Sequence, residues 1–247
     1  MDDSRVLSLT YSFRPAEHVE FVGPPALPIE TEQFRGSLEG RALTLVPKVH
    51  FPDRDVARRA ADLFVEGWQI AAGLESGRPV FELRFAGDEV AITPEQGRPT
   101  VQIRAVRPQY VKAHITLPSM KSLPSPPRGF QVTPDVRTLW VRYCGFAQGA
   151  EPLTTMGYAC FTLLKGGESL RDAGRRLRIS AKVLTNLRRL TSTRGDERTA
   201  RKFTPETKPM DPAEEEWIKA AMKAIIRHLA TPQPARGLVM GDLPSLP

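Results

Sequence analysis

The stretch PSMKSLPSPPRGFQVTP, residues 118–134, holds five prolines together with Ser119, Ser122, Ser125 and Gly129. Proline fixes φ and removes a backbone donor, so this density sustains neither a ladder nor a helix and predicts a linker. The hydrophobic period changes across it. Before it, apolar residues recur at every second position, and after it they recur at spacings of three and four. The expected fold class is α+β: an N-terminal, mostly antiparallel sheet with one packed helix, then a C-terminal all-α helical domain. The implied division is a strand-rich domain over 1–117, the Pro-rich linker, a helical domain over 135–230, and a Pro- and Gly-rich tail over 231–247 expected to be disordered.

On the N-terminal side, Leu7, Leu9, Tyr11 and Phe13 alternate with Val6, Ser8, Thr10 and Ser12, the pattern of a strand with one buried face. Similar alternation occurs at Phe81, Leu83 and Phe85, at Val101, Ile103 and Ala105, and from Val111 to Leu117. Glu39-Gly40 reads as a hairpin turn between 34–38 and 42–46. One helix interrupts the strands, with Val56, Ala60, Leu63, Phe64, Ile70, Ala71 and Leu74 at helical spacing, Asp53 or Asp55 as N-cap, and Gly77 past its end.

On the C-terminal side, Val136, Leu139, Trp140, Tyr143 and Phe146 mark one helix. Glu151-Pro152 opens a second, which stops at Gly166-Gly167. Asp211, Pro212 and Glu214 spell a capping box ahead of a last helix striped by Trp217, Ile218, Ala221, Ile225 and Leu229.

Charge singles out one segment. Lys165 to Lys202 contains twelve Lys/Arg against four Asp/Glu, a net +8, while the whole chain of 247 residues carries +7. The remainder is therefore close to neutral, and the basicity is a local field suited to phosphates or to an acidic partner. Met1-Asp2-Asp3-Ser4-Arg5 lacks the basic start of a secretory signal, and no uncharged apolar run approaches the ~20 residues of a membrane span, so a cytoplasmic location with no membrane partner is expected. Cys144 and Cys160 lie among apolar residues and read as reduced thiols. With His18, His50, His114 and His228 scattered, no metal site or cofactor is expected.

Within the basic segment, Leu170, Ala173, Gly174 and Leu177 would line one helix, Ile179 would plug a turn, and Val183, Leu184, Leu187 and Leu190 would anchor a second helix N-capped by Ser180. Residues 169–190 resemble the helix-turn-helix of bacterial DNA-binding proteins, with Gly174 as the small residue at the helix crossing. The departure is Arg178, where that motif usually places a turn glycine. The resemblance implies a reading stripe of Lys182, Thr185, Asn186 and Arg189, phosphate contacts from Arg171, Arg175 and Arg178, and a basic loop of Arg194, Arg198, Arg201 and Lys202. The whole chain also resembles bacterial proteins of similar length whose helical half carries elements like Ile179-Ser180, Val183-Leu184 and Ala200-Arg201-Lys202; this implies two halves and no activity.

The expected function is non-enzymatic binding of DNA or RNA. The competing class is an interaction module whose basic face meets an acidic protein partner or a second copy in a homo-oligomer, and Glu214, Glu215 and Glu216 raise the further option of neutralisation within the molecule. Catalytic patterns fail on spacing. HEPN ribonucleases need four to six residues between Arg and His, whereas Arg227 directly precedes His228; Arg107 and His114 have six residues between them but straddle Pro108 in the strand-rich half. A nuclease centre from Asp53, Glu82 and Arg84 would need Lys for Arg and takes a helix cap as a ligand. Asp196-Glu197 beside Arg194 and Arg198 reads as a salt-bridged loop.

Overall fold

The computed structural model describes residues 5–17, 19–21, 26–92, 100–105, 119–120, 123–195 and 207–246. The fold is α+β, in two compact units that divide between Arg128 and Gly129, inside the Pro-rich stretch.

The first unit contains β1 (Arg5–Pro15), β2 (Glu20–Phe21), β3 (Ala26–Glu30), β4 (Phe34–Glu39), β5 (Ala42–Pro47), α1 (Arg54–Ser76), β6 (Phe81–Ile92), β7 (Thr100–Ala105) and β8 (Ser119–Met120). Six strands form one sheet in the order β3-β4-β5-β1-β6-β7, antiparallel throughout. The hairpin falls as expected, with Glu39 opposite Ala42 across Gly40-Arg41. β3 was not legible because Pro28 argues against a strand; it is tolerated here because β3 is an edge. Leu9, Tyr11 and Phe13 are buried as the alternation requires, but Val6 replaces Leu7 on the buried side. A bulge between Val6 and Ser8 in the pairing with β6 inserts Leu7 and shifts the phase.

Helix α1 lies on the sheet. Asp53 is its N-cap, accepting from the Val56 N–H at 2.8 Å, and Gly77 closes it at φ 79°. Its core stripe is Ala57, Ala61, Val65, Trp68 and Ala72, packed with Leu9, Tyr11, Phe13, Leu43 and Leu45. Ile70 and Leu74 of the expected stripe are buried, but Leu63 is 46% exposed: over the first turns the buried side runs through Ala57, Ala61 and Val65, one residue on from Val56, Ala60 and Phe64, because the small alanines let the helix approach the sheet. Trp68 stacks edge-on against Phe81 at 5.3 Å and donates its Nε1–H to the Pro124 carbonyl at 2.8 Å.

That bond corrects the linker. Residues 123–128 belong to the sheet unit, with Leu123 against its core, and Ser119-Met120 pair in parallel with Glu20-Phe21. On the far side, the Gln131 N–H reaches the Ala230 carbonyl at 2.7 Å, and Thr133 caps the next helix. The expected strand over 111–117 lies outside the described residues.

The second unit holds α2 (Pro134–Ala147), α3 (Leu153–Lys165), α4 (Leu170–Leu177), α5 (Ala181–Thr193) and α6 (Pro212–Ala230). Helices α3, α5 and α6 meet around Gly157, where a Cβ would come within 2.6 Å of Thr191 Cγ2 and 3.5 Å of Ile218 Cγ2. The capping box of α6 is formed, with Ala213 N–H on Asp211 Oδ1 at 2.7 Å and Asp211 N–H on Glu214 Oε2 at 3.2 Å.

The sequence predicts disorder after Thr231, and the structure differs. Leu238 is 7% exposed, its N–H donates to the Arg178 carbonyl at 3.0 Å, and its carbonyl accepts from the Ser180 N–H at 2.8 Å. A 3-10 turn follows at Met240–Asp242, with Asp242 accepting from the Val239 N–H at 3.0 Å and from Arg236 Nη1 at 3.2 Å. Composition pointed to disorder, but the apolar run Leu238-Val239-Met240 and the open backbone groups of the α4–α5 turn satisfy each other.

Candidate nucleic-acid interface

The basic surface is built on α4 and α5. Ser169 caps α4, accepting from the Asp172 N–H at 3.2 Å. Three residues, Arg178 to Ser180, join the two helices. Ile179 is 2% exposed, and Val183, Leu184, Leu187 and Leu190 are all at 1% or less, so the apolar face of α5 is wholly inside; Leu170 and Leu177 are half-buried. Gly174 stands where α4 meets the start of α5: a Cβ there would lie 2.7 Å from the Ile179 carbonyl oxygen and 3.4 Å from the Ala181 nitrogen.

Arg178 begins that turn. It adopts φ 54°, ψ 38°, the left-handed conformation a glycine would take without strain, and its N–H closes on the Gly174 and Arg175 carbonyls. The tail backbone on its carbonyl helps hold it there.

The exposed cations are Arg171, Arg175, Arg176, Arg178, Lys182, Arg188 and Arg189. Arg175 faces Asp172 at 3.5 Å on the surface, a pair of little energetic weight. Arg171, Arg178, Lys182 and Arg188 have no ion-pair partner among the described residues. At 100° per residue, Lys182, Thr185 and Arg189 centre on the side of α5 opposite its buried face. The Thr185 hydroxyl turns back to the Ala181 carbonyl at 2.8 Å, which leaves its lone pairs outward.

Two expected members sit differently. Asn186 lies on the flank of α5 and is half-buried, with its Nδ2–H directed at the Met240 sulfur at 3.5 Å. Arg194 is committed within the molecule: its Nε lies 2.9 and 2.8 Å from the two Glu214 oxygens. Burial opposes the charge on Glu214, yet the hydrogen bonds from Arg194 and the Asp211 N–H, with the charges of Arg194 and Arg189, hold its pKa below the usual carboxylate range. Internal neutralisation thus takes Arg194 and reaches Arg189. Glu215 is 3.7 Å from Lys219, and Glu216 is exposed. Arg198, Arg201 and Lys202, and the Asp196-Glu197 pair, lie outside the described residues.

Sequence reasoning missed Arg188, which falls outside the i, i+3, i+4, i+7 stripe, and Arg176, which bonds Glu168 at 3.1 Å and caps α3 through the Leu164 carbonyl at 2.9 Å. It also missed Met240, whose one signal was an apolar run in a Pro/Gly-rich tail.

Residues weighed for catalysis have structural partners. Asp53 is spent on its cap, and Glu82 lies 2.6 Å from Arg84. His228 Nε2 bonds the Leu177 carbonyl at 2.9 Å and ties α6 to the end of α4. Burial pushes the free thiols of Cys144 and Cys160 up to about 12, away from thiolate chemistry. Arg107 and His114 lie outside the described residues, among which no cluster of His, Cys, Asp and Glu could hold a metal ion and no helix is long and apolar enough to cross a membrane. The chain matches no family model, no curated protein and no solved structure.

Proposed function

We propose that the helical unit binds nucleic acid through α4, the Arg178 turn and α5, in the manner of a helix-turn-helix and without catalysis. The observation that carries this reading is the set of exposed cations Arg171, Arg178, Lys182 and Arg188, each without an ion-pair partner among the described residues and all set on the two helices packed at Gly174 or the turn that joins them. Such a cluster is matched by a polyanion, because neutralising phosphates releases condensed counterions. In this reading Lys182, Thr185 and Arg189 face the bases, while Arg171, Arg175, Arg178 and Arg188 face the phosphates. A regulatory, cytoplasmic DNA-binding protein is the biological role this geometry suits.

Fluorescence anisotropy of the full chain on a labelled random-sequence duplex tests it. With about four phosphates contacted, affinity should fall roughly two orders of magnitude between 50 and 200 mM salt. Arg171→Glu combined with Arg188→Glu should flatten that slope. Failure to bind duplex or single strand at low salt, together with concentration-dependent self-association, would assign the face to protein assembly instead.

A further inference from the structure

We propose that Met240 is a shutter over Asn186, so that the C-terminal segment sets whether α5 reads sequence or only grips phosphate. The inference rests on the nucleic-acid reading above. Asn186 carries two amide donors and a carbonyl acceptor, the set that pairs bidentately with adenine. Its Nδ2–H meets the Met240 thioether at 3.5 Å, a weak acceptor that an adenine nitrogen would outcompete. Asn186 flanks the outward stripe of Lys182, Thr185 and Arg189, so uncovering it adds one reading side chain to an otherwise cationic face.

The segment has an anchor and a cover. Leu238 is the anchor, buried and hydrogen-bonded on both sides to Arg178 and Ser180. Beyond it, Val239 is 42% exposed, and Met240 begins the short 3-10 turn held by Asp242. Swinging Met240 aside breaks none of the bonds that fix Leu238 to the turn. The closed form therefore keeps the helix pair and its cations intact while withdrawing Asn186. Phosphate affinity belongs to both forms, and discrimination belongs to the open one.

The test uses the full chain and a random-sequence duplex pool, followed by anisotropy on whatever sequence each variant enriches. Met240→Ala should enrich sequences with adenine at a fixed position and bind them about three- to tenfold tighter than the unselected pool, the range one net hydrogen bond supplies. Met240→Ala/Asn186→Ala should lose that gain. Met240→Gln replaces sulfur with a carbonyl acceptor of similar reach, holds Asn186 more firmly, and should discriminate no better than the parent. Thermal melts report folding. If Met240→Ala melts early, Met240→Gln decides, and improved discrimination in it overturns the shutter. Gain that survives loss of Asn186 also overturns it, as does equal binding by all variants with nothing enriched, which leaves the phosphate-binding face standing. Absence of pool binding by every variant removes the nucleic-acid reading and the shutter with it.

Discussion

Gly174→Ala isolates the contact on which the α4–α5 arrangement depends. On helix propensity alone the change should stabilise by about 1 kcal/mol. The added methyl, however, would sit 2.7 Å from the Ile179 carbonyl oxygen, against about 3.3 Å or more for ordinary carbon–oxygen contact. The obstacle is backbone. Ile179 follows a left-handed Arg178 and precedes a Ser180 whose N–H is tied to Leu238, and the Ala181 nitrogen at 3.4 Å blocks retreat. Overpacking of this kind costs roughly 1 to 3 kcal/mol, and a carbonyl fixed on both sides puts it near the upper end. The net expectation is a loss of about 1 to 2 kcal/mol. Gly145→Ala in α2 is the control, since its Cβ would meet first the end of the Glu151 side chain, at 3.1 Å, which can swing away. That variant should gain up to about 1 kcal/mol. Urea unfolding followed by far-ultraviolet circular dichroism should therefore separate the two midpoints by roughly 1 M at unchanged slope. A Gly174→Ala protein as stable as Gly145→Ala would refute the close crossing.

Arg178→Gly should raise the stability of the helical unit by about 0.5 to 1 kcal/mol, because glycine takes the left-handed conformation without its Cβ penalty; thermal melts check the sign. Leu238→Ala should cost roughly 2 kcal/mol by urea titration, where a free tail would show no effect. Glu214 has a folded pKa below its unfolded value, so its contribution is complete above the ordinary carboxylate pKa of about 4.5 and is lost as pH falls through the folded value. Glu214→Gln should accordingly destabilise at neutral pH by about 1 to 3 kcal/mol and match the parent in strong acid.

The two-part architecture was legible because the hydrophobic period changes at a proline cluster. The caps Asp53, Ser180 and Asp211 were legible because each motif is local. What escaped was non-local. Leu7 alternates correctly in sequence, yet a bulge in the pairing of β1 with β6 leaves it as the extra residue and shifts the phase. The buried side of α1 is set by alanines, which carry little weight in an apolar pattern but decide how near a helix can approach a sheet. In the basic segment, residue type identified the cations, but not which would be spent internally: Arg194 and Glu214 are twenty positions apart, and only the packing of α5 on α6 joins them. Asn186 has the chemistry of a reader, and its cover by Met240 comes from a tail that composition alone marks as unstructured.

The bridge between Ile179 and Leu238 spans about 60 residues, and this separation bears on the order of assembly. Contacts between α4 and α5 close a loop of a few residues and cost little chain entropy, whereas seating Leu238 closes a long one. The tail is therefore the last part of the helical unit to lock and the first to peel. Weakening it speeds unfolding while leaving the folding rate nearly untouched, so the dwell time of the finished helix pair is governed by residues that play no part in forming it.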